Sequence, residues 1–245
     1  MKDPIALITG SSRGVGLAIA KMLDKRGIKV ILTGRSQIAL NYALTQLTSK
    51  QHQAFSVDFS NQDEVNHFLN RLVENVMIPN MLIHNVGGTL AEDTFPLNIN
   101  IVKETINLNL DSALKVNEKF LPYMIENKFG RIVHIGSDAS LTGQASPAYV
   151  IAKAALNGYV KSAARFYAKH GIMICAVLPG ILEHEGSAWT KKKITNPIHY
   201  QSKLDQMPLG RFGMPEEIAS MVAELITSDS MMCAGALLEL CGAVV

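Results

Sequence analysis

Tyr149 and Lys153 are the residues of this sequence whose types and spacing most directly suggest chemistry. They stand four positions apart in Ala148–Lys169, a segment whose apolar residues recur at helical spacing, so we expect both side chains on one face of a helix. An ammonium beside a phenol favours the phenolate, which predicts a pKa for Tyr149 below the ordinary value of about 10. A phenol tuned in that way can serve as a general acid or base near neutral pH.

A second candidate site is rich in glycine and follows the first predicted strand. Glycines in such a turn let the backbone approach a pyrophosphate, and the next helix presents free N–H groups to the anion. The sequence therefore predicts a dinucleotide-binding turn, with an ordinary strand-to-helix turn as the alternative. The residues assigned to it are Gly10, Ser12, Arg13, Gly14, Val15 and Gly16.

The end of the second predicted strand bears on the choice of cofactor. Pockets selective for NAD usually carry an acidic residue there, whereas a nearby arginine accommodates the 2′-phosphate of NADP. Here Arg35 follows the strand, no acid is present, and Arg13 offers a second guanidinium. Either arginine alone would more often be a solvated surface residue, but together they favour NADP(H).

Asp58, at the end of the third predicted strand, could accept a hydrogen bond from the adenine amino group. The alternative is that it caps the helix beginning near Asn61, a role for which Ser60 is better placed.

The elements that must position these residues follow from the alternation of short apolar runs with helical patterns. Near-continuous apolar runs are typical of parallel strands buried on both faces. The pattern predicts an α/β fold, a Rossmann-type doubly wound parallel sheet of about seven strands in three α/β/α layers, as a single domain over 1–245. The predicted strands are Ile5–Thr9, Lys29–Thr33, Gln53–Val57, Met81–His84, Arg131–Ile135, Ile172–Leu178 and Ala236–Leu240. The predicted helices are Val15–Lys25, a segment spanning Val65 to Val76, Ile101–Asn127, Ala148–Lys169 and Glu216–Ser228.

The stretch 181–215 fits no regular element. Long connections in compact domains are usually functional, so we expect a substrate loop or lid there. It carries Trp189 next to a run of three lysines, Lys191 to Lys193. Such a run is usually a solvated face, and the alternative is attraction of an anionic substrate.

Composition narrows the function classes. Lys and Arg number 23 against 21 Asp and Glu, a net charge of +2, which is too balanced for a nucleic-acid-binding domain. Cys175, Cys233 and Cys241 have no ligand spacing, so we expect reduced thiols and no metal. No apolar run approaches the ~18 residues of a membrane-spanning helix, and the N-terminus lacks the pattern of a secretory signal. We therefore expect a cytoplasmic protein with no membrane or nucleic-acid partner.

Taken in order, these motifs resemble the short-chain dehydrogenase/reductase family in its single-domain form, over essentially the whole chain. The residues that carry the resemblance are Gly10, Gly14, Gly16, Asp58, Asn85-Val86-Gly87, Asn109, Ser137, Tyr149-x-x-x-Lys153 and Pro179-Gly180. The resemblance implies that Tyr149 exchanges a proton with the substrate oxygen while nicotinamide C4 gives or takes a hydride. It also implies that Lys153 binds the nicotinamide ribose, that Ser137 hydrogen-bonds the substrate oxygen, and that Asn109 shapes a helix so that water can relay protons to Lys153. Further cofactor contacts are expected from Asn85, Gly87, Pro179, Gly180 and Leu182.

The sequence departs from the family pattern at several positions. His84 replaces the first Asn of the usual Asn-Asn-Ala-Gly turn, and we expect it at a strand end, outside the chemistry. His184 stands where the family places a Thr that holds the nicotinamide carboxamide, a contact that His184, Glu183 or the backbone could supply. Near the C-terminus, Leu240-Cys241-Gly242-Ala243 replaces the usual acidic-Gly-Gly end. Lys128 and His170 only partly match the basic docking residues of carrier-protein reductases.

The expected activity is NADP(H)-dependent reduction of a carbonyl to a secondary alcohol, similar to that of the family's 3-oxoacyl-(acyl-carrier-protein) reductases. One alternative is a tailoring reductase or dehydrogenase of a sugar or secondary metabolite, and a remote one is a non-catalytic NADP(H)-binding redox sensor. Apolar residues on more than one face of the two longest predicted helices also suggest a subunit interface. Family habit points to a homotetramer or homodimer.

Overall fold

Seven short strands form one sheet in the computed structural model of the protein, which describes residues 4–91 and 93–243. The strands are β1 (Ile5–Ile8), β2 (Lys29–Gly34), β3 (Gln53–Ser56), β4 (Met81–His84), β5 (Gly130–Ile135), β6 (Ile172–Pro179) and β7 (Leu237–Leu240). Their order is β3-β2-β1-β4-β5-β6-β7, and every neighbouring pair is parallel. The predicted Rossmann-type sheet is confirmed, and each predicted strand matches to within one residue at either end.

Helices cover both faces of this sheet. Along β1, Ala6 and Ile8 pack into the core on the side of the first helix, whereas Leu7 packs into the core on the opposite side. This alternation follows from the two-residue period of a strand and produces the three layers. The helices are α1 (Gly14–Lys25), α2 (Gln37–Thr45), α3 (Gln62–Glu74), α4 (Ile99–Ile106), α5 (Ser112–Glu126), α6 (Ala139–Thr142), α7 (Pro147–Tyr167), α8 (Ala188–Thr195), α9 (Pro197–Leu204) and α10 (Pro215–Thr227).

The predicted long helix Ile101–Asn127 is interrupted. Between α4 and α5 the chain makes a π-helical turn, Asn107–Asp111. A π-helical turn contains one residue more than an α-helical turn, but the helix continues through it. A search for apolar residues at 3.6-residue spacing therefore predicts one uninterrupted helix. Such π turns are rare and occur frequently at functional sites.

The interpretation of 181–215 as a stretch without regular structure is wrong, because α8 and α9 lie within it. The Ser187 side chain caps α8 and the Asn196 side chain caps α9. Both helices are eight residues long, and in α8 no residue is fully buried, so neither carries the apolar stripe by which a helix is recognised. Helix α2 was missed for a similar reason, since only Leu40 and Ala43 of it are buried.

Among the described residues, no helix is long and apolar enough to cross a membrane. The same part of the chain holds no group of three His, Cys, Asp or Glu side chains placed to bind a metal ion. The three cysteines, all within the described ranges, are thiols that form no disulfide with one another.

Because all strands are parallel, the loops after β1, β2, β4, β5 and β6 meet at one edge of the sheet. The chain order reverses direction between β1 and β4, which opens a crevice at this edge, where ligands bind in folds of this kind.

Candidate active site

The glycine-rich turn after β1 has the geometry that close approach of a ligand requires. Gly10 and Gly14 have positive φ angles of 64° and 57°. A Cβ atom at Gly16 would lie 2.4 Å from the Gly10 carbonyl oxygen, so no side chain fits there without moving the backbone. The turn thus remains a bare backbone surface that leads into the N-terminus of α1.

Asn85 ties the β4 loop to this turn. Its side-chain amide donates to the carbonyl oxygens of Thr9 at 3.1 Å and Gly10 at 2.8 Å. The predicted residue therefore lies at the crevice, where its side chain supports the glycine turn.

The two arginines predicted to read a 2′-phosphate are both exposed, at the ends of β1 and β2. The Arg35 guanidinium lies near Asp58, whose carboxylate accepts hydrogen bonds from the Ser60 N–H and hydroxyl at 2.9 and 2.7 Å. These hydrogen bonds, with a smaller contribution from Arg35, lower the pKa of Asp58. The alternative to the adenine contact, a cap on α3 from Asp58 or from Ser60, is wrong. The Asn61 side chain caps α3 by accepting the N–H groups of Asp63 and Glu64.

Asn109 lies in the π-helical turn, where its side chain is fully hydrogen-bonded. It accepts the Gly88 N–H at 2.9 Å and donates to the Gly88 and Thr105 carbonyls, each at 2.9 Å. A Cβ atom at Gly87 would lie 2.6 Å from Asn109 Oδ1 and 2.9 Å from Lys153 Nζ. The structure therefore brings Asn109 and Lys153 together across a glycine.

Lys153 is a buried ammonium, and its Nζ donates to the Ile135 carbonyl at 2.8 Å. Burial lowers the pKa of Lys153 to about 8. The backbone oxygen at the end of β5 thus orients the lysine along the carboxyl edge of the sheet.

Ser137 and Tyr149 meet at the same edge. The Ser137 hydroxyl accepts the Ala139 N–H at 3.2 Å and donates to Asp138 at 3.3 Å. It is also close enough to the Tyr149 hydroxyl to lower the pKa of that phenol. The predicted serine, tyrosine and lysine are therefore brought together in space.

The predicted effect of Lys153 on Tyr149 is wrong for this structure. Burial raises the pKa of Tyr149, the charge of Asp138 adds to the rise, and the Ser137 hydrogen bond opposes it. Lys153 Nζ lies 5.7 Å from the centre of the tyrosine ring and is directed to Ile135, so its charge does not offset burial. Tyr149 is accordingly a neutral phenol, the form that can donate a proton.

The structure shows where the side chains of Glu183 and His184 lie, while the predicted carboxamide contact from His184, Glu183 or the backbone stays a prediction. The Glu183 carboxylate is engaged by the Tyr200 hydroxyl at 2.8 Å and by Lys193. The His184 ring instead lies against the glycine turn, with its Cε1 2.9 Å from where a Cβ atom of Gly14 would be. Beside it, Arg13 donates to the Gly186 carbonyl at 3.2 Å, so this part of the 181–215 segment covers the turn.

The remaining residues predicted to contact the cofactor lie at the end of β6. A Cβ atom at Gly180 would come within 3.0 Å of the Cys241 backbone, so this glycine allows the close approach of the β7 loop. Leu182 pairs with Gly213 as an isolated bridge and lines an apolar cavity of about 200 Å³ on the α10 side. Leu182 therefore takes part in packing here, and its predicted contact with the cofactor stays a prediction.

Three residues that matter to the site were missed or undervalued from the sequence. Asp93 accepts the Ala148 N–H at 2.7 Å and so caps the helix that carries Tyr149 from 55 positions away. Asp138 lies beside Ser137, outside every motif. His134 lies fully buried on β5 and stacks on His84 with ring centres 4.5 Å apart. As expected, His84 ends its strand; it bonds Asn117, and burial lowers its pKa to about 4.

Comparison with known proteins decides the family. The model of the short chain dehydrogenase family matches residues 4–194, which is most of the chain. The chain belongs to this family. The predicted family and the predicted class, an oxidoreductase, are therefore confirmed.

Two curated relatives of this short-chain dehydrogenase differ in activity. The 3-oxoacyl-(acyl-carrier-protein) reductase FabG of Vibrio cholerae is 30% identical over 243 residues, covering 99% of this chain and 97% of the relative. The 2,3-dihydroxy-2,3-dihydro-p-cumate dehydrogenase of Pseudomonas putida is 29% identical over 246 residues, covering 99% and 94%.

Two solved structures of similar fold were determined with bound nucleotide. A variant of the actinorhodin polyketide ketoreductase with NADPH has a TM-score of 0.88 at 26% identity, covering 99% of this chain and 97% of the ketoreductase. A 3-oxoacyl-(acyl-carrier-protein) reductase of Agrobacterium tumefaciens C58 with NADP has a TM-score of 0.86 at 26% identity, covering 98% and 93%.

The bare glycine turn of this short-chain dehydrogenase yields a direct prediction. In Gly16→Ala the new methyl meets backbone 2.4 Å away, so the turn must shift and we expect NADPH affinity to fall roughly tenfold or more. Fluorescence titration of NADPH measures it. Gly158→Ala is the matched control, because nothing lies within 4 Å of the added methyl on α7. Equal affinity in the Gly16 variant and the unmodified protein would contradict the role given to the turn.

Proposed function

We propose that this protein is an NADP(H)-dependent reductase that converts a carbonyl to a secondary alcohol, with a 3-oxoacyl thioester as the substrate class. The observation that carries the proposal is the meeting of Ser137, Tyr149 and Lys153 at the carboxyl edge, beside a glycine turn that admits a pyrophosphate. A proton donor and an anion-binding turn in one crevice suit a reaction in which a carbonyl oxygen gains a proton as its carbon gains a hydride.

The roles of the side chains follow from their states. Bound nicotinamide supplies the hydride. Tyr149, a neutral phenol at the end of the crevice, donates its proton to the substrate oxygen, and Ser137 hydrogen-bonds the same oxygen. Lys153, a cation below about pH 8, would hold the ribose hydroxyls of the bound nucleotide. Asn109 shapes the π-helical turn through which water can resupply protons.

Binding of the nucleotide is assigned to the predicted residues around the crevice. The glycine turn and the N-terminus of α1 would hold the pyrophosphate, while Arg13 and Arg35 would hold the 2′-phosphate. Asp58 would accept the adenine amino group. The NADP and NADPH bound to the two structural relatives support this choice of cofactor.

The substrate class rests on the relatives and on the surface near Tyr149. Two segments that contact α7 expose large apolar side chains. Leu90 and Phe95 are 48% and 74% exposed in the loop whose Asp93 accepts the Ala148 N–H, and Leu141 is 52% exposed in α6, which packs on α7. An acyl chain suits such a rim, and both FabG and the polyketide ketoreductase act on chains of that kind by their names. A tailoring reductase of a secondary metabolite is the second candidate, favoured by the ketoreductase likeness.

We further propose that the protein forms a homotetramer or homodimer. Ile151 and Phe166 of α7 are 38% and 61% exposed, and a second copy of the chain would cover them.

The reaction is tested by Tyr149→Phe, which removes only the hydroxyl. We expect NADPH-dependent reduction of 3-oxoacyl thioesters to fall by roughly 100- to 10,000-fold while the Kd for NADPH is unchanged, since general acid catalysis is lost. Spectrophotometric turnover and fluorescence titration measure the two. Tyr42→Phe, an exposed tyrosine on α2, is the control and keeps full turnover. Full activity in Tyr149→Phe, or failure of the unmodified protein to reduce any member of a carbonyl panel, would refute the proposal.

Cofactor choice is tested by removing the guanidinium of Arg35. In Arg35→Ala we expect the preference for NADPH over NADH, taken as the ratio of kcat/KM values, to drop roughly tenfold or more, because a charge-assisted contact to the 2′-phosphate is lost. Arg13→Ala should act in the same direction. Arg165→Ala, exposed on α7, should leave the ratio unchanged. A larger kcat/KM with NADH than with NADPH in the unmodified protein would overturn the assignment.

A further inference from the structure

His184 is a titratable side chain that lies directly against the glycine turn. Its ring is half-buried, with Cε1 2.9 Å and Nε2 3.0 Å from the position that a Cβ atom of Gly14 would take. Because Gly14 has no Cβ atom, the imidazole can approach the backbone at the start of α1. A helix N-terminus after a glycine turn favours an anion. An imidazole nitrogen therefore lies beside the place where the pyrophosphate is expected.

The start of α8 fixes the backbone of His184. The His184 N–H donates to the Ser187 hydroxyl at 3.4 Å, and its carbonyl oxygen accepts the Ser187 N–H at 2.9 Å and the Thr190 hydroxyl at 2.6 Å. The Ser187 side chain also caps α8. From the glycine turn, Arg13 donates to the Gly186 carbonyl at 3.2 Å. Contacts from both sides thus hold this segment against the turn.

A hydrogen bond decides which nitrogen of the neutral His184 ring carries the proton. Nδ1 lies 2.9 Å from the Glu185 carbonyl oxygen, and a carbonyl can only accept, so Nδ1 must donate. A neutral imidazole has a single N–H, so Nε2 is then an acceptor. The oxygens of a pyrophosphate also accept only, so the neutral ring offers them no hydrogen bond. A protonated ring donates from both nitrogens and can hold the Glu185 carbonyl and the pyrophosphate together.

The charged groups around His184 come from its own segment, from α8 and from the glycine turn. The Glu183 carboxylate forms an ion pair with Lys193 of α8 at 3.4 Å, and the Glu185 side chain is exposed. The Arg13 guanidinium approaches from the glycine turn, and the first turn of α1 carries no acidic residue in this described part of the chain. A bound pyrophosphate would bring two negative charges to the ring, which favours the imidazolium.

We propose that His184 binds the pyrophosphate of NADP(H) as an imidazolium, so that binding of the cofactor takes up a proton. This deepens the proposed function and rests on it, because it requires NADP(H) to occupy the glycine turn. It assigns His184 to the pyrophosphate in place of the nicotinamide carboxamide. Because the protonated ring binds and the neutral ring does not, the contribution of His184 to affinity is largest at low pH and is lost as the pH rises.

The proposal is tested by isothermal titration calorimetry of NADPH at pH 7 in two buffers of different ionisation enthalpy, which measures the protons taken up on binding. An imidazole ordinarily titrates near pH 6.5 and is mostly neutral at pH 7, while a 2′-phosphate has largely lost its second proton, at about pH 6. We expect the unmodified protein to take up about half a proton or more per NADPH. In His184→Gln, which keeps a donor N–H but does not titrate, we expect close to none.

A shorter ligand separates the pyrophosphate from the carboxamide. 2′-Phospho-ADP-ribose is NADP without its nicotinamide, so it keeps the pyrophosphate and lacks the carboxamide. We expect the unmodified protein to take up the same number of protons with this ligand as with NADPH. Proton uptake with NADPH but not with 2′-phospho-ADP-ribose would place the ring at the nicotinamide and contradict the proposal.

His184→Ala removes the ring altogether and serves as a second variant. We expect its Kd for NADPH to exceed that of the unmodified protein roughly tenfold at pH 6 and by a smaller factor at pH 8, since a charge-assisted hydrogen bond is lost only where the ring is charged. Comparing the two proteins at the same pH cancels the titration of the 2′-phosphate. Tighter binding of NADPH by this variant would show that the ring obstructs the turn, which refutes the proposal.

His67→Gln is the matched control, because it makes the same exchange at an exposed histidine of α3. We expect it to take up as many protons as the unmodified protein. Equal proton uptake in His184→Gln and the unmodified protein would also refute the proposal. These titrations use no carbonyl substrate, so binding of NADPH without proton uptake contradicts only the role given to His184. Failure of the carbonyl panel contradicts the proposed function instead.

Discussion

A buried ammonium at the carboxyl edge of the sheet is the constraint on which the site depends. Lys153 is only 3% exposed, and a charge in that position is costly unless polar groups surround it. The protein supplies the Ile135 carbonyl at 2.8 Å, a glycine at position 87 that leaves room, and Asn109 on the far side of that glycine. Burial nevertheless brings the pKa of Lys153 down to about 8, so the cation is retained with little margin at neutral pH.

The fold supplies that environment because its strands are parallel. Four parts of the site follow four different strands: the glycine turn, Asn85, Ser137 and the β6 loop. They meet because the carboxyl ends of all the parallel strands lie at one edge of the sheet. Helix α7 carries Tyr149 and Lys153. Asp93 stabilises the first turn of this helix by accepting the Ala148 N–H. The π-helical turn adapts the longest helical segment so that Asn109 can reach Gly88.

Features with a local signal in the chain could be predicted from the sequence. The strands are continuous apolar runs, and the tyrosine and lysine are four residues apart on one helix, so both could be located to within a residue. Helices α2, α8 and α9 could not, since they bury too few side chains to leave a stripe.

Features that depend on contacts between residues distant in sequence could not be predicted. Asp93 caps α7 by accepting the N–H of a residue 55 positions later in the chain. The His184 ring lies against the glycine turn only because the segment 181–215 folds back over that turn. The pKa of Tyr149 was expected in the wrong direction because spacing indicates that two groups share a face, but not that Lys153 turns to a carbonyl while burial acts on the phenol.

The proposed mechanism requires a cationic Lys153 and a neutral Tyr149 while NADPH reduces the carbonyl. The pH dependence of kcat/KM for NADPH-dependent reduction tests this requirement most directly. Burial depresses the pKa of Lys153 to about 8, so the ammonium is present below that pH and is lost as the pH rises through it. The pKa of Tyr149 is raised and lies above this range, so the limb belongs to the lysine. We expect kcat/KM to decline with a midpoint near pH 8, and we expect this decline to disappear together with most of the activity in Lys153→Met. A profile that stays level well above pH 8, or a Lys153→Met variant with the same limb, would contradict it.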